Sequence, residues 1–108
     1  MPKQKPIYRV DTADYAVIKT NPTQLEITAT GTTKAARWHN FELELRENTF
    51  VNGVYEFDFT GLLPVDPSPQ VLTPTGNVTY TFKKIPADLN KIIIHAESNK
   101  IELKYPKK

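Results

Sequence analysis

Cysteine is absent from this chain, and glycine and serine are scarce. Without a thiol the protein has no disulfide framework, no thiolate zinc site and no cysteine nucleophile, so its stability must come from packing. The four glycines never cluster, which excludes a glycine-rich loop that cradles phosphates. The serines, Ser68 and Ser98, both lie outside any Gly-x-Ser-x-Gly nucleophile elbow. The sequence therefore offers no assembled nucleophile and no nucleotide-binding loop.

Positive charge is scarce in the body of the chain. The net charge is +2, but five of the fourteen basic residues stand near the chain ends, namely Lys3, Lys5, Lys104, Lys107 and Lys108. Without these five, nine basic residues face twelve acidic ones, so the remainder carries a charge of −3. A nucleic-acid reader usually presents a basic, arginine-rich face, whereas this chain has three arginines. Nucleic acid is therefore not an expected partner.

Long apolar runs are also missing. No stretch has the composition and length of a signal peptide or of a transmembrane segment. We expect a cytoplasmic protein if the chain is complete, and an exported protein if a signal peptide has been removed. The length of 108 residues fits one domain. We predict a flexible basic N-terminal tail over residues 1–6, a β-sandwich domain over residues 7–105 and a basic C-terminal tail over residues 106–108.

The most strongly patterned segment runs from Gly53 to Gly61. Successive side chains of an extended backbone point to opposite faces of a sheet, so Tyr55, Phe57 and Phe59 share one face. Three aromatic residues at this spacing carry a large apolar surface that other strands must cover. The segment is therefore predicted to be a half-buried strand at the centre of the core.

The same alternation predicts further strands around this central one. It is clearest in three segments, residues 25–29, 41–45 and 78–82. We expect residues 41–45 to pair with the central strand. Shorter strands are predicted at residues 7–10 and 15–19, separated by a turn, at residues 71–72, and as a final hairpin at residues 92–96 and 101–105.

The spacing of strands and turns predicts the fold class. Four prolines interrupt residues 61–76, which are predicted to form a long crossover because proline removes a donor from a sheet ladder. Short strands with frequent turn signals and no helical periodicity indicate an all-β fold. We therefore expect a single antiparallel β-sandwich of about seven to nine short strands, with a small β-barrel as the alternative.

Three stretches of the chain resemble a group of small uncharacterised bacterial β-domains. They are Trp38-His39-Asn40, residues 53–59, and residues 70–74, which read Gln-Val-Leu-Thr-Pro. The resemblance implies a bacterial origin and an immunoglobulin-like sandwich, and it attaches no catalytic or ligand-binding residue to the pattern. The cysteine pair that flanks the buried tryptophan of true immunoglobulin domains is missing around Trp38.

The leading functional hypothesis is a non-enzymatic binding or protein-interaction module. Loops at the ends of a rigid sandwich often carry function, and a proline-rich crossover can present a polyproline II surface. The candidate surface for a protein partner comprises Trp38, His39, Pro64, Asp66, Pro67 and Pro69. No cofactor is expected, and the sequence leaves the oligomeric state open.

The rival hypothesis is a small metal-dependent or carboxylate-using enzyme. Its groups would be the two histidines and the sheet carboxylates, namely His39, His95, Glu42, Glu44, Glu56 and Asp58. Neither histidine has a metal-ligand spacing such as His-x-x-x-His, and alternation predicts that His95 is exposed beside Glu97. The carboxylates are expected on the solvated face of a sheet.

A third hypothesis rests on Asn21-Pro22-Thr23. This tripeptide resembles the first loop of chagasin-like cysteine-peptidase inhibitors, which are sandwiches of about this length. The resemblance implies inhibition of a cysteine peptidase. The glycine pair and the Arg-Pro-Trp loop of that family have no counterpart here, and the same residues are typical of a proline turn that enters a strand.

Overall fold

The structure, a computed structural model, describes residues 4–46, 53–64 and 69–105. The described residues form nine strands and no helix. The strands are β1 Lys5–Pro6, β2 Arg9–Ile18, β3 Gln24–Thr33, β4 His39–Leu45, β5 Val54–Leu62, β6 Thr73–Pro74, β7 Val78–Phe82, β8 Lys91–His95 and β9 Lys100–Lys104. They form two sheets that pack against each other without closing into a barrel. The predicted all-β sandwich is therefore confirmed over the alternative barrel.

β5 occupies the centre of the first sheet, as its aromatic pattern predicts. It pairs with β4 along one edge, which confirms that predicted pairing. Along its other edge β5 pairs first with β8 and then with β1. β9 pairs antiparallel with β8, so the predicted final hairpin is confirmed as well. In the second sheet β3 is central, with β2 on one side and β6 and β7 in line on the other.

One strand pair departs from the predicted antiparallel arrangement. β5 and β8 run parallel, with Val54 opposite Lys91 and Asp58 opposite His95. The chain between them passes through β6 and β7 of the second sheet, and this long crossover returns β8 in the same direction as β5. The local sequence cannot reveal this because parallel and antiparallel strands alternate their side chains in the same way.

The core lies between the aromatic face of β5 and the apolar face of β3. Phe57 and Phe59 of β5 are fully buried, and so are Leu25 and Ile27 of β3. The predicted inward faces of these two strands are therefore confirmed. Phe82 of β7 is buried as well, which agrees with the predicted alternation of that strand.

The N-terminal strands differ from the prediction. Residues 9–18 form one continuous strand, β2, instead of two short strands separated by a turn at residues 11–14. Pairing with β3 overrides the local turn preference, and a shift of register near the start of β2 absorbs the irregularity. Lys5 and Pro6 of β1 pair with β5, so the last two residues of the predicted N-terminal tail belong to the first sheet. The flexibility of residues 1–6 stays a prediction.

The proline-rich crossover contains its short strand two residues later than predicted. The paired residues are Thr73–Pro74 of β6, opposite Thr33 and Thr32 of β3. Val71 and Leu72, the predicted strand, are both 57% exposed and lie outside β6. Alternation cannot place a two-residue strand, because its position depends on where the partner strand offers free backbone groups.

Candidate functional site

The segment that carries Trp38 links β3 to β4 at one end of the sandwich. Arg37 and Asn40 have φ angles of 71° and 51°, a left-handed conformation that residues other than glycine adopt rarely. Between His39 and Glu42 the register with β5 shifts, so the chain bulges at the start of β4. A bulge of this kind changes the direction of the neighbouring side chains. The local backbone thus sets the orientation of the Trp38 side chain.

Gly61 of β5 makes room for two aromatic rings. A Cβ atom at this position would lie 2.8 Å from ring carbons of Phe41 and 3.2 Å from Cε3 of Trp38. Ordinary carbon contacts lie at about 3.5–4.0 Å, so a side chain here would push both rings away. Trp38 and Phe41 therefore pack directly onto the backbone of β5 because this residue is glycine.

Trp38 lines a small groove together with Pro6, Tyr8, Lys34 and Glu97. We call it the Tyr8/Trp38 groove, and its volume is about 110 Å³. Lys34 Nζ lies 4.9 Å from the centre of the Tyr8 ring, within the range of a cation–π contact, and 3.4 Å from Glu97 Oε1. This ion pair is largely exposed and contributes little to stability, so both charges stay accessible to a ligand. The groove thus combines apolar and aromatic walls with one charge of each sign.

The turn between β8 and β9 fastens the Tyr8 wall of the groove. The backbone N–H and the hydroxyl of Ser98 both donate to the carbonyl of Tyr8, at 2.9 Å and 2.6 Å. The side chain of Asn99 accepts from the N–H of Val10 at 2.9 Å and donates to its carbonyl at 2.8 Å. These bonds tie the segment before and at the start of β2 to the first sheet, so the groove has a firm backbone on this side.

Trp38 and His39, two of the predicted interaction residues, have different surroundings. Trp38 is half-buried and lines the groove. His39 is exposed, its Nδ1 lies 3.3 Å from the carbonyl oxygen of Arg37, and it pairs with Leu62 at the start of β4. Trp38 therefore belongs to the groove, and His39 lies beside it on the edge strand.

The two described ends of the proline crossover meet the same end of the sandwich. Pro64 is half-buried and follows closely after β5. Pro69 is exposed, and its carbonyl accepts a hydrogen bond from the N–H of Ala36 at 3.0 Å. The other two predicted interaction residues, Asp66 and Pro67, lie outside the described residues. Both described ends of the crossover therefore lie next to the segment that carries Trp38.

Large apolar side chains of the crossover face solvent. Leu63 is 48% exposed, and Val71 and Leu72 are each 57% exposed. Single exposed apolar residues are ordinary on protein surfaces, but these three belong to one connection at the end that carries Trp38. They are the apolar surface nearest in sequence to the predicted interaction residues.

The outer face of the first sheet brings together three polar groups of the rival hypothesis, His95, Glu56 and Asp58, with Arg46. Arg46 donates to both carboxylate oxygens of Asp58 at distances of 2.8–3.1 Å and lies 3.5 Å from Glu56 Oε1. His95 Nε2 donates to Glu56 Oε1 at 2.7 Å. The His95 side chain is 21% exposed, so the prediction that it is exposed beside Glu97 was wrong. The parallel pairing of β5 with β8 causes this, because it brings His95 alongside the outward residues of β5.

These groups form a ladder of hydrogen bonds and ion pairs. The hydrogen bond to Asp58 raises the pKa of Arg46, so the guanidinium remains a fixed positive charge between two carboxylates. His39 lies at the other end of β4 from Arg46 and does not join the ladder. Within the described segments, no three His, Cys, Asp or Glu side chains are placed to hold a metal ion. The metal-dependent or carboxylate-using enzyme stays a prediction that this ladder does not strengthen.

Sequence reasoning named the acidic residues of this face but missed the role of Arg46. Alternation along β4 puts Arg46 on the same face as Glu42 and Glu44. What joins Arg46 to Asp58 is the register of β4 with β5, in which Glu44 lies opposite Asp58. The sequence therefore showed that Arg46 shares a face with Glu42 and Glu44. It did not show that β4 pairs with β5 in the register that brings Arg46 to Asp58.

Asn21-Pro22-Thr23 lies in the exposed turn between β2 and β3. The Asn21–Pro22 peptide bond is cis, and the Thr20 hydroxyl donates to the carbonyl of Pro22 at 2.7 Å. This arrangement is that of a compact turn that enters β3. Inhibition of a cysteine peptidase through this turn stays a prediction.

Comparison with protein-family models, with curated proteins and with solved structures finds no match to this chain. The resemblance to small bacterial β-domains therefore stays a prediction, together with the bacterial origin that it implies. In the described part of the chain, no helix has the length and apolar character needed to cross a membrane. Function must consequently be inferred from the geometry of the surface.

Proposed function

We propose that the protein is a non-enzymatic, immunoglobulin-like binding module whose Tyr8/Trp38 groove binds an extended, proline-containing segment of a partner protein. The observation that carries this proposal is the groove itself, in which Tyr8, Trp38 and Pro6 stand beside the exposed Lys34 and Glu97 charges. Proline-rich segments bind aromatic-lined grooves because their polyproline II conformation is formed before binding and loses little entropy.

The size of the groove favours a peptide over an enclosed small molecule. Pockets for small molecules usually have volumes of about 300–1,000 Å³, and the groove has about 110 Å³. A space of this size accepts one or two side chains of a chain that lies across the surface. Proline suits such a space, since its compact apolar ring packs against tyrosine and tryptophan faces and its nitrogen carries no N–H that would be left unsatisfied.

The charges beside the rings favour a partner segment with an ionic residue near the proline. Lys34 and Glu97 neutralise each other across 3.4 Å in the free protein, but both are more than half exposed. A ligand carboxylate or guanidinium can therefore replace one member of the pair at little cost. Charges at the rim of an interface mainly set orientation and the rate of association, so they would select among proline-containing segments.

A titration with synthetic peptides tests this proposal. Trp38 is the single tryptophan, so its fluorescence reports on the groove alone. The probes are two Pro-x-x-Pro decapeptides, one with a flanking arginine and one with a flanking aspartate, and a control in which alanine replaces each proline. We expect a saturable change in Trp38 fluorescence with a proline peptide and no saturation with the alanine control. In nuclear magnetic resonance spectra of the same titration, we expect the backbone amide chemical shifts of Tyr8, Lys34 and Glu97 to change.

Two variants complete the test. Tyr8→Ala removes one wall of the groove and is expected to abolish saturation, whereas Val17→Ala, an exposed change on β2, is expected to preserve it. Amide shift changes confined to the Arg46, Glu56 and His95 region would contradict the proposal and direct attention to the outer face. Absence of saturation with both proline peptides would also contradict it.

A further inference from the structure

Among the described strands, β7 pairs along one edge only and lies at the margin of the second sheet. Its residues pair with β3 in an unbroken register from Val78 opposite Ala29 to Phe82 opposite Leu25, and no other described strand pairs with it. Among the described strands, none is hydrogen-bonded to the backbone groups of β7 that point away from β3. Thr79 and Thr81 on the outer face are exposed. Such an edge is a ready template for pairing with a further chain.

The other sheet margins carry features that oppose such pairing. β4 has a bulge between His39 and Glu42, and β2 has a register shift near its start. β9 places Lys100, Glu102 and Lys104 along its length, and all three are exposed. Bulges and charged side chains are the usual means by which natural sheets protect their edges. By this criterion β7 is different, since Val-Thr-Tyr-Thr-Phe contains no charge, no proline and no irregularity.

We propose that β7 is a self-association surface, and that a second copy of this chain pairs with it antiparallel about a two-fold axis at Tyr80. In this register Val78 of each copy lies opposite Phe82 of the other, and Thr79 lies opposite Thr81. In this register, the two residues of every opposed pair are both odd-numbered or both even-numbered. Residues whose backbone groups point away from β3 in one copy therefore lie opposite residues with the same orientation in the other copy. All five residues of the strand are paired in this one register.

The side chains of β7 suit this symmetric pairing. It places two Thr79/Thr81 pairs on the outer face and sets the two Tyr80 side chains next to each other on the inner face. Threonine pairs and aromatic pairs stabilise neighbouring antiparallel strands. Beyond the strand, Lys83 falls opposite the uncharged Asn77 of the other copy. No like charges are therefore opposed along the shared edge.

The same symmetry applied to the charged edges opposes like charges. Pairing β9 with itself about its centre sets Glu102 against Glu102 and Lys100 against Lys104. Pairing β4 with itself about Leu43 sets Glu42 against Glu44. Like charges directly opposite each other destabilise a strand pair. The charge pattern therefore favours β7 over β4 and β9 for association of two identical copies.

The expected dimer depends on concentration. A strand pair of five residues per copy is smaller than a standard interface, which buries about 1,600 Å² in total. Association is therefore expected to be weak and transient and to require a high protein concentration. This inference is independent of the Tyr8/Trp38 groove, because it concerns the second sheet and a different partner.

Sedimentation equilibrium of the full chain and of charge variants tests the proposal. We expect the average mass to rise from 12.3 kDa toward twice that value as the concentration increases. Thr79→Lys/Thr81→Lys places lysines opposite lysines and is expected to raise the half-dissociation concentration about tenfold or more. The matched control, Ala16→Lys/Val17→Lys, adds the same charge at exposed positions of β2 and is expected to change it by less than about twofold.

A mixing experiment separates loss of association from loss of folding. Thr79→Glu/Thr81→Glu alone is expected to be monomeric, and an equimolar mixture with the double-lysine variant is expected to form a heterodimer, because each introduced lysine then faces an introduced glutamate. Restoration of the dimer on mixing would support the proposal even if each variant is less stable. A chain that stays monomeric up to about 1 mM would overturn it. A dimer that persists in both β7 double variants would also overturn the proposal, particularly if Leu72→Lys dissociates that dimer.

Discussion

The ring of Phe57 meets the ring of Tyr80 nearly edge to face, with centroids 4.9 Å apart and planes inclined by 65°. This contact joins β5 of the first sheet to β7 of the second. Phe82 extends it, since its ring centroid lies 5.9 Å from that of Phe57 and 5.8 Å from that of Tyr55. Aromatic pairs of this kind add about 0.5–1.5 kcal/mol each beyond the area that they bury. The aromatic contacts are therefore a principal link between the sheets.

Phe57→Ala is expected to lower the free energy of unfolding by about 3–5 kcal/mol, because it removes a fully buried ring and leaves a cavity. Such a loss approaches the whole stability of a small domain, about 5–15 kcal/mol. Urea denaturation measures the change. Val17→Ala, at a position that is 43% exposed, serves as the control and should cost no more than about 0.5 kcal/mol. Equal losses from both variants would contradict the described core.

Asn99→Ala is expected to lower the free energy of unfolding by about 1–3 kcal/mol, because it leaves the N–H and the carbonyl of Val10 without their partner. Hydrogen exchange gives a local readout, and the Val10 amide should exchange faster. The control is Asn77→Ala, the same change at an exposed position, which should leave both quantities nearly unaltered. An unchanged exchange rate at Val10 in the Asn99 variant would show that another contact fastens this segment.

Arg46 and Asp58 are expected to show a coupling free energy of about 1 kcal/mol or less in a double-mutant cycle built from Arg46→Ala and Asp58→Ala. The value is modest because the two side chains are 38% and 33% exposed and solvent screens them. Added salt should reduce the coupling further. Arg46→Lys should recover only part of it, since lysine cannot form the two parallel bonds of the guanidinium. A coupling that salt leaves unchanged would contradict this account.

Tyr55 is expected to stabilise the fold below pH 10 and to lose this effect at higher pH. Its hydroxyl donates to Asp88 Oδ1 at 2.7 Å, and this hydrogen bond is the first cause that raises the pKa of Tyr55 above its ordinary value of 10.0. Because folding holds the proton, the contribution is complete below pH 10 and disappears as the pH rises through the raised pKa. Tyr55→Phe should therefore cost about 1 kcal/mol at neutral pH.

The same comparison at alkaline pH supplies the check on Tyr55. Denaturation of the native chain and of Tyr55→Phe is measured at several pH values between neutrality and the alkaline limit of folding. The difference in unfolding free energy should shrink as Tyr55 ionises next to Asp88. A difference that stays constant through this range would show that the hydrogen bond does not account for the stability lost in the variant.

The candidate groove could be predicted from the sequence only in part. Trp38 stands out as the single tryptophan in a segment rich in turns, and it lines the groove. Its role in binding stays a prediction. Tyr8, Lys34 and Glu97 carry no such signal, because each belongs to a different connection of the chain. They line one groove only because the β8–β9 turn is hydrogen-bonded to the segment that contains Tyr8.

The sequence by itself determined the inward and outward faces of β3, β5 and β7, the strands with the clearest alternation. Tyr55, Phe57 and Phe59 are buried as their spacing predicts, because alternation is a property of a single extended backbone. Tertiary structure decided which strands are neighbours. It set β8 parallel to β5, which placed His95 on Glu56, and it drew residues 9–18 into one strand against β3. Pairing depends on backbone groups of residues far apart in the chain, and a local pattern does not contain that information.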